Sequence, residues 1–384
     1  MTERVYLDWN ATAPMRAEVR AAMIAALDTV GNPSSVHAEG RAARHIVEAA
    51  REKVAVLVGG EPRNVVFTAG GTEANMLALS PRTGGGCEQL VVSAIEHPSV
   101  RSGGRFAQVE TAGVTASGEV DIAALERRLI ELRRQGVRPL VSIMLANNET
   151  GVIQPVVEAA RLAHAAGGLL HVDAVQAAGR IPCDIRTLGA DLMSLSVHKL
   201  GGPKGVGALV KRDEALVLEP LVTGGGQERG TRAGTENLAG IAGFGAAAAA
   251  AETGLAADGP RMRALRDVLE DGLRKATPEV IIFGSAAERL PNTTLFAVPG
   301  MKAETAVIAF DLEGVAVSSG AACSSGKVQP SHVLAAMGVS APLGRGAVRV
   351  SLGAATTEAE LERFLSAWIS VSGALLNRAK DIAA

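Results

Sequence analysis

From about Ala11 to Ala257 the chain alternates short apolar runs with amphipathic helical patterns: NVVFTAGG leads into TEANMLAL, and LVSIML leads into PVVEAARLAHAAG. Such alternation predicts parallel strands joined by crossover helices. Further apolar runs, GLLHVDA, DLMSLSV and GVGALV, follow at spacings too short for a helix between every pair, so part of the sheet is expected to be antiparallel or joined by loops. The uncharged stretch Leu238 to Ala251 is rich in Ala and Gly and short of the roughly 20 residues a membrane helix needs; it reads as a buried helix. DGP at Asp258 to Pro260 then predicts a break, since proline cannot continue a helix. At 384 residues two domains are expected. The fold class is α/β: a large domain over residues 12–257 with a mixed, mostly parallel sheet, and a smaller α+β domain from residues 1–11 and 258–384. In the latter, EVIIFGS, TTLFAV and GAVRVSL read as strands, and MRALRDVLEDGLRKA, ETAVIAFDLEG, SHVLAAM and EAELERFLSAWISVSGALL as helices.

Composition removes several classes of function. With 47% apolar and 20% charged residues nothing argues for disorder. A formal net charge of -2 gives no basic surface for nucleic acid or an anionic membrane, so neither is expected as a partner. MTERVYLDWNATAP has no apolar signal core, and a cytoplasmic protein is expected. Three cysteines, Cys87, Cys183 and Cys323, are too few and too scattered for a disulfide framework, and without a C-x-x-C pair no metal site is expected.

The residues that carry chemistry sit where apolar runs end. DLMSLSV ends in Ser196, Val197, His198 and Lys199 before GGPKGVG, which puts Lys199 at a strand-to-turn edge, the place where open α/β sheets bind ligands. Taken alone, a loop lysine is more often a surface residue. GLLHVDAVQAAG delivers Asp173 at a strand end and Gln176 three residues later. Asp173 has two readings: a helix N-cap, or the anion that keeps a pyridine nitrogen protonated beside a lysine able to form a Schiff base. In the second reading Gln176 bonds the ring's phenolic oxygen. FTAGGTEANMLAL runs a strand into Gly70, Gly71 and Thr72 and then opens a helix, so backbone N–H groups and the helix dipole converge on one anion-sized point. A second loop, TGGGQERGTRAGTEN, suits a phosphate of the same or a neighbouring subunit. His97 in IEHPSV, and Asn147 and Asn148 in NNETG, follow further strands, His97 having either a structural role or one in stacking and proton transfer.

The segments VYLDWNATAP, GNPSSVH, FTAGGTEAN, EHPSV, NNETGVIQP, VDAVQAAG, SLSVHKLGGPKGVGAL, GGGQERGTRAGTEN, SSGAACSSG and VRVSLG occur in this order from Val5 to Gly353. In that order and spacing the chain resembles the cysteine desulfurases of the NifS/IscS type, pyridoxal 5'-phosphate enzymes of fold type I. The resemblance implies that Lys199 is the Schiff-base lysine, Asp173 the partner of the pyridine nitrogen, Gln176 the phenolate partner and His97 the ring-stacking histidine. It implies phosphate contacts at Gly71, Thr72, Ser196 and His198, with Thr235 supplied by the other protomer of a homodimer. Asn148 falls near the phenolate and the substrate carboxylate, Arg349 on the carboxylate clamp, and Asn32 on a substrate-binding position. Two residues depart from the family pattern, Trp9 and Lys327, and neither carries a chemical role.

The implied reaction takes sulfur from L-cysteine onto Cys323 as a persulfide and releases L-alanine, after which the sulfur passes to an iron-sulfur scaffold or to a carrier for tRNA thiolation. Lys199 removes the Cα proton and Cys323 attacks the substrate sulfur as a thiolate, which a free thiol of pKa about 8.5 reaches only in part at neutral pH. The Ser, Gly and Ala around Cys323 read as a loop. The rival readings are a selenocysteine lyase, which shares the apparatus, an aminotransferase, which needs no Cys323, and a non-catalytic binding protein.

Overall fold

The structure, a computed structural model, describes residues 4–320 and 330–383. The alternation of the first two thirds of the chain becomes a seven-stranded sheet in the order Val65–Thr68, Gly207–Lys211, Leu192–Ser196, Leu169–Asp173, Pro139–Met144, Gln89–Ser93 and Val109–Ala112. Only Gly207–Lys211 runs against its neighbours; from Leu192–Ser196 onward every pairing is parallel. That strand follows Leu192–Ser196 after a short loop, which is why no helix could be read between them. The five strands from Gly207–Lys211 to Gln89–Ser93 are almost entirely buried, the consequence of helices on both faces. Their register sets Met144 beside Asp173 and Asp173 beside Ser194. The C-terminal ends of the parallel strands therefore share one edge.

Past this sheet the chain forms a four-stranded antiparallel sheet in the order Ser318–Ser319, Val348–Ser351, Thr293–Ala297 and Ile281–Ile282. Val5–Tyr6 returns to pair in parallel with Val315–Ala316. One apolar cluster draws on residues from Val19 to Ala251 with Leu290, and another joins Val5 and Leu7 to residues from Leu265 to Val371. The first cluster lies against the large sheet and the second against the small one. Between them Ile95, just past Gln89–Ser93, and Met144 at the end of its strand pack on Phe283, Leu295, Val333 and Leu334.

The expected break at Asp258 to Pro260 does not occur. Leu238–Ala276 is a single helix of 39 residues with Pro260 inside it. Pro260 is exposed, so the carbonyl its missing N–H leaves unpaired can face water. Packing on either side then holds the helix together: Phe244, Ala247, Ala248 and Ala251 in one core, Leu265, Leu269 and Leu273 in the other. The Gly and Ala of its first half permit close approach, since a Cβ on Gly245 would lie 2.7 Å from Ala50 Cα. By length and composition this is the one helix among the described residues that could cross a membrane; it packs instead on the helices Ala17–Leu27 and Ala38–Leu57. EVIIFGS gives a strand only at Ile281–Ile282.

Because the helix continues through Pro260, replacing that residue should stabilise the fold. Pro260→Ala restores one backbone bond at an exposed position and is expected to raise the unfolding free energy by about 1–2 kcal/mol, after the loss of proline's rigidity in the unfolded chain is deducted. The check is a higher urea midpoint at unchanged slope; a lower midpoint would mean that the helix needs its proline.

Candidate active site

The strand ends deliver their side chains to one cavity of about 1030 Å³. Its lining includes Gly71, Thr72, His97, Asn148, Asp173, Gln176, Ser196, His198, Lys199 and Arg349, ten of the residues expected to form a site. Thr235 and Asn32 are exposed and outside this lining, Thr235 on a second, smaller cavity. Cys323 and Lys327 lie outside the described residues.

Asp173 closes the strand Leu169–Asp173 and is 5% exposed. One oxygen accepts from the Val175 N–H at 3.0 Å and the other from Asn75 Nδ2 at 2.8 Å. The cap-like bond and the placement in the cavity therefore coexist. Lys199 ends a short turn, Val197–Lys199, and its Nζ donates to the carbonyls of Asn10 and, at 2.8 Å, Ala11. Gln176 donates from Nε2 to the Asn10 carbonyl at 3.0 Å, and its Oε1 accepts from Arg180. Asn10 was not foreseen. Nothing in VYLDWNATAP marks its backbone carbonyl as the meeting point of two site residues.

At the other end of the cavity Gly70 caps the helix Gly71–Ala78. A Cβ on Gly71 would come within 3.0 Å of Val175 Cγ2 and 3.2 Å of Ser196 Cβ, so glycine is what lets the helix start so close to the strand end. Glu73 accepts the Ala69 N–H at 2.8 Å, which steadies the turn. Ser196, His198 and Thr72 ring this N-terminus and make a cradle of neutral donors. His198 is pushed down to about 4 by burial, with Lys199, Lys204 and Arg180 adding to the effect. The second Gly-rich loop is pinned from below: Glu228, buried and with φ 48°, pairs with Arg51 at 2.8 Å and accepts the Phe67 N–H.

Arg349 lies in the strand Val348–Ser351 and is 2% exposed. It donates to the Asn148 carbonyl and to Asp8 Oδ1, each at 2.8 Å, while its buried Nε has no partner among the described residues. Asn147, by contrast, builds the turn: its Oδ1 takes the N–H groups of Glu149 and Thr150. Trp9 stays out of the cavity lining; its ring lies over Gly353, where a Cβ would sit 2.0 Å away. Cys87 and Cys183 are buried, and desolvation pushes their thiols up to about 11 and about 12.

Together these groups can hold a planar ring by its nitrogen (Asp173) and its face (His97), an anionic tail at the helix N-terminus, a carbonyl carbon at Lys199, and a second carboxylate at Arg349. Sequence reasoning missed the layer beneath: Asn10, Asn75, Ser99, Asp8, Arg180 and Glu96. Glu96 is fully buried behind His97, and its Oε1 accepts from Ser93 at 2.5 Å and from the Met144 N–H at 2.7 Å. Burial raises its pKa from 4.5 to about 8.

A raised carboxyl pKa favours the neutral form in the fold, so its contribution to stability is complete below about 4.5 and is lost as pH rises through about 8. Glu96→Gln keeps a neutral side chain at every pH. The stability of the wild type relative to this variant is expected to fall steadily across that window; urea midpoints that keep a constant gap would show Glu96 to be ionised in the fold.

A profile of the aminotransferase class-V family matches residues 5–364. A cysteine desulfurase of Cereibacter sphaeroides is 44% identical over 370 residues, 94% of each chain. A cysteine desulfurase IscS of Dictyoglomus turgidum is 40% identical over 372 residues, 94% of this chain and 92% of its own. A NifS-like protein of Rickettsia africae superposes with a TM-score of 0.88 at 34% identity, covering 97% of this chain and all of its own.

Proposed function

The chain belongs to the aminotransferase class-V family and is a cysteine desulfurase within it, and from that premise we propose that its cavity binds pyridoxal 5'-phosphate and L-cysteine and passes sulfur to Cys323. The observation that carries this reading is the convergence of Lys199, Asp173 and Arg349 on one cavity from two sheets. Lys199, Asp173, Gln176 and His97 would hold the ring, and Gly71, Thr72, Ser196 and His198 the phosphate. When bound, pyridoxal phosphate supplies an electron sink that makes an amino acid's Cα proton acidic and weakens its bond from carbon to sulfur.

The chain's own groups do the rest. Arg349 takes the substrate carboxylate, and the carbonyl of Asn148 behind it keeps the guanidinium in place. The Nζ of Lys199 lies among carbonyl acceptors, where it can be held until it takes the Cα proton. The sulfur acceptor must be a thiolate. Of the three cysteines, Cys87 and Cys183 are buried with thiols held well above neutrality, which leaves Cys323. Its sulfur attacks the sulfur of L-cysteine and breaks the bond to Cβ; one protein persulfide and one alanine result. The exposed Thr235, on a loop anchored by Arg51 and Glu228, serves a phosphate in a second protomer of a cytoplasmic homodimer. The persulfide goes on to an iron-sulfur scaffold or a sulfur carrier for tRNA thiolation.

Two outcomes test this. After incubation with L-cysteine, mass spectrometry should find one added sulfur on the peptide bearing Cys323 and an equal amount of alanine in solution; an unmodified Cys323 during active turnover would refute the assignment. Arg349→Ala should lower kcat/KM for L-cysteine by roughly a hundredfold, the loss of a buried charge-assisted pair, with most of it in KM. An unaltered KM would place the carboxylate elsewhere.

A further inference from the structure

His97 lies past Gln89–Ser93 and Asp173 ends Leu169–Asp173, two strands separated by Pro139–Met144, yet a line of side chains joins them. Asn75, on the helix Gly71–Ala78 and 1% exposed, spans the gap. One hydrogen of its Nδ2 goes to Asp173 Oδ2 at 2.8 Å and the other to Ser99 Oγ at 2.9 Å. Turned over, the amide would set its oxygen against a carboxylate, so its orientation is fixed. Ser99 Oγ, having accepted, has its own hydrogen left for His97 Nδ1 at 2.7 Å. The Ser99 backbone N–H points at the same nitrogen at 3.2 Å. Two donors meet on Nδ1, which must therefore present its lone pair; the proton of a neutral imidazole then sits on Nε2.

We propose that Asn75 and Ser99 are positioning residues that hold His97 as the Nε2–H tautomer, so that the ring offers the cavity a donor at Nε2. The proposal rests on the reading of the cavity as a cofactor and cysteine site. His97 lines that cavity, and no described residue bonds its Nε2. The charged and titratable groups facing it are Asp173, Lys199 and His332; burial, aided by Lys199 against Asp173, keeps the ring on the neutral side. Simple packing would need none of this directionality. An apolar residue in place of Ser99 would fill the same space but leave Nδ1 with the longer backbone N–H contact alone.

The test is long-range 1H–15N correlation on the holoenzyme labelled with 15N-histidine, His97 being assigned by its absence in His97→Gln. In the wild type Nδ1 should resonate as an unprotonated nitrogen and Nε2 as a protonated one. Ser99→Ala should shift population toward Nδ1–H and lower kcat for alanine release roughly tenfold at unchanged KM, within the range of a misdirected acid–base group; Ser99→Thr should restore both. A protonated Nδ1 in the wild type, or the wild-type tautomer persisting in Ser99→Ala, overturns the proposal. The wild-type spectrum decides even if Ser99→Ala does not fold. A protonated Nδ1 in an enzyme that still releases alanine and loads Cys323 removes the relay alone, whereas absence of both products removes the reading beneath it as well.

Discussion

The peptide of Asn10 is the point on which both halves of the molecule depend. Its N–H donates to Ser351 Oγ at 2.9 Å, and its side chain bonds Thr293 Oγ1, Asn292 Nδ2 and the Asn148 carbonyl. Its own carbonyl receives Lys199 and Gln176. Asn292, Thr293 and Ser351 belong to the small sheet and its flank, Lys199, Gln176 and Asn148 to the ends of the large one. Asn10 is 1% exposed, so these donors and acceptors have no water to replace one another. Shifting one sheet against the other breaks several of these bonds at once.

The parts of this arrangement legible in the sequence were those that follow from strand periodicity. An apolar run that stops at a polar residue says where a strand ends, and parallel strands end on one edge; Asp173, Lys199 and His97 could be gathered on that basis before any family was considered. The tier beneath them was not legible. Asn75 and Ser99 sit in helical segments whose polar residues are ordinarily solvated, and it is the packing of the helix Gly71–Ala78 on the sheet that turns Asn75 inward. Asn10 acts mainly through its backbone carbonyl, which every residue has. Arg349 and Cys323 rested on resemblance. At Pro260 a sound local rule failed because two hydrophobic cores outweigh one missing hydrogen bond.

Buried acids show a similar division between residue type and context. Glu149 follows Asn148, and burial raises its pKa to about 7, with Ser331 and Arg349 pulling the other way. Ser331 Oγ meets its Oε2 at 2.5 Å and also caps the helix His332–Ala336, while His332 donates to the Glu96 carbonyl at 3.0 Å. The chain leaving the segment 321–329 is thus fastened directly behind Asn148 and His97.

Two buried guanidiniums stand at this end of the site, Arg349 in the cavity lining and Arg180 behind Gln176. Arg180 is buried and, among the described residues, is partnered by the Gln176 oxygens and the Trp9 carbonyl; burial together with Arg349 pushes it down to about 10. Arg349 has one carboxylate, Asp8, and a buried Nε with no partner. Asp8 bonds Arg349 directly and Glu149 lies within its field, whereas Arg180 meets neutral oxygens among the described residues. A carboxylate entering the cavity would gain a charge-assisted bond at the Arg349 guanidinium. The strand Val348–Ser351 and the segment around Asp8 hold that guanidinium in place from the side of the small sheet.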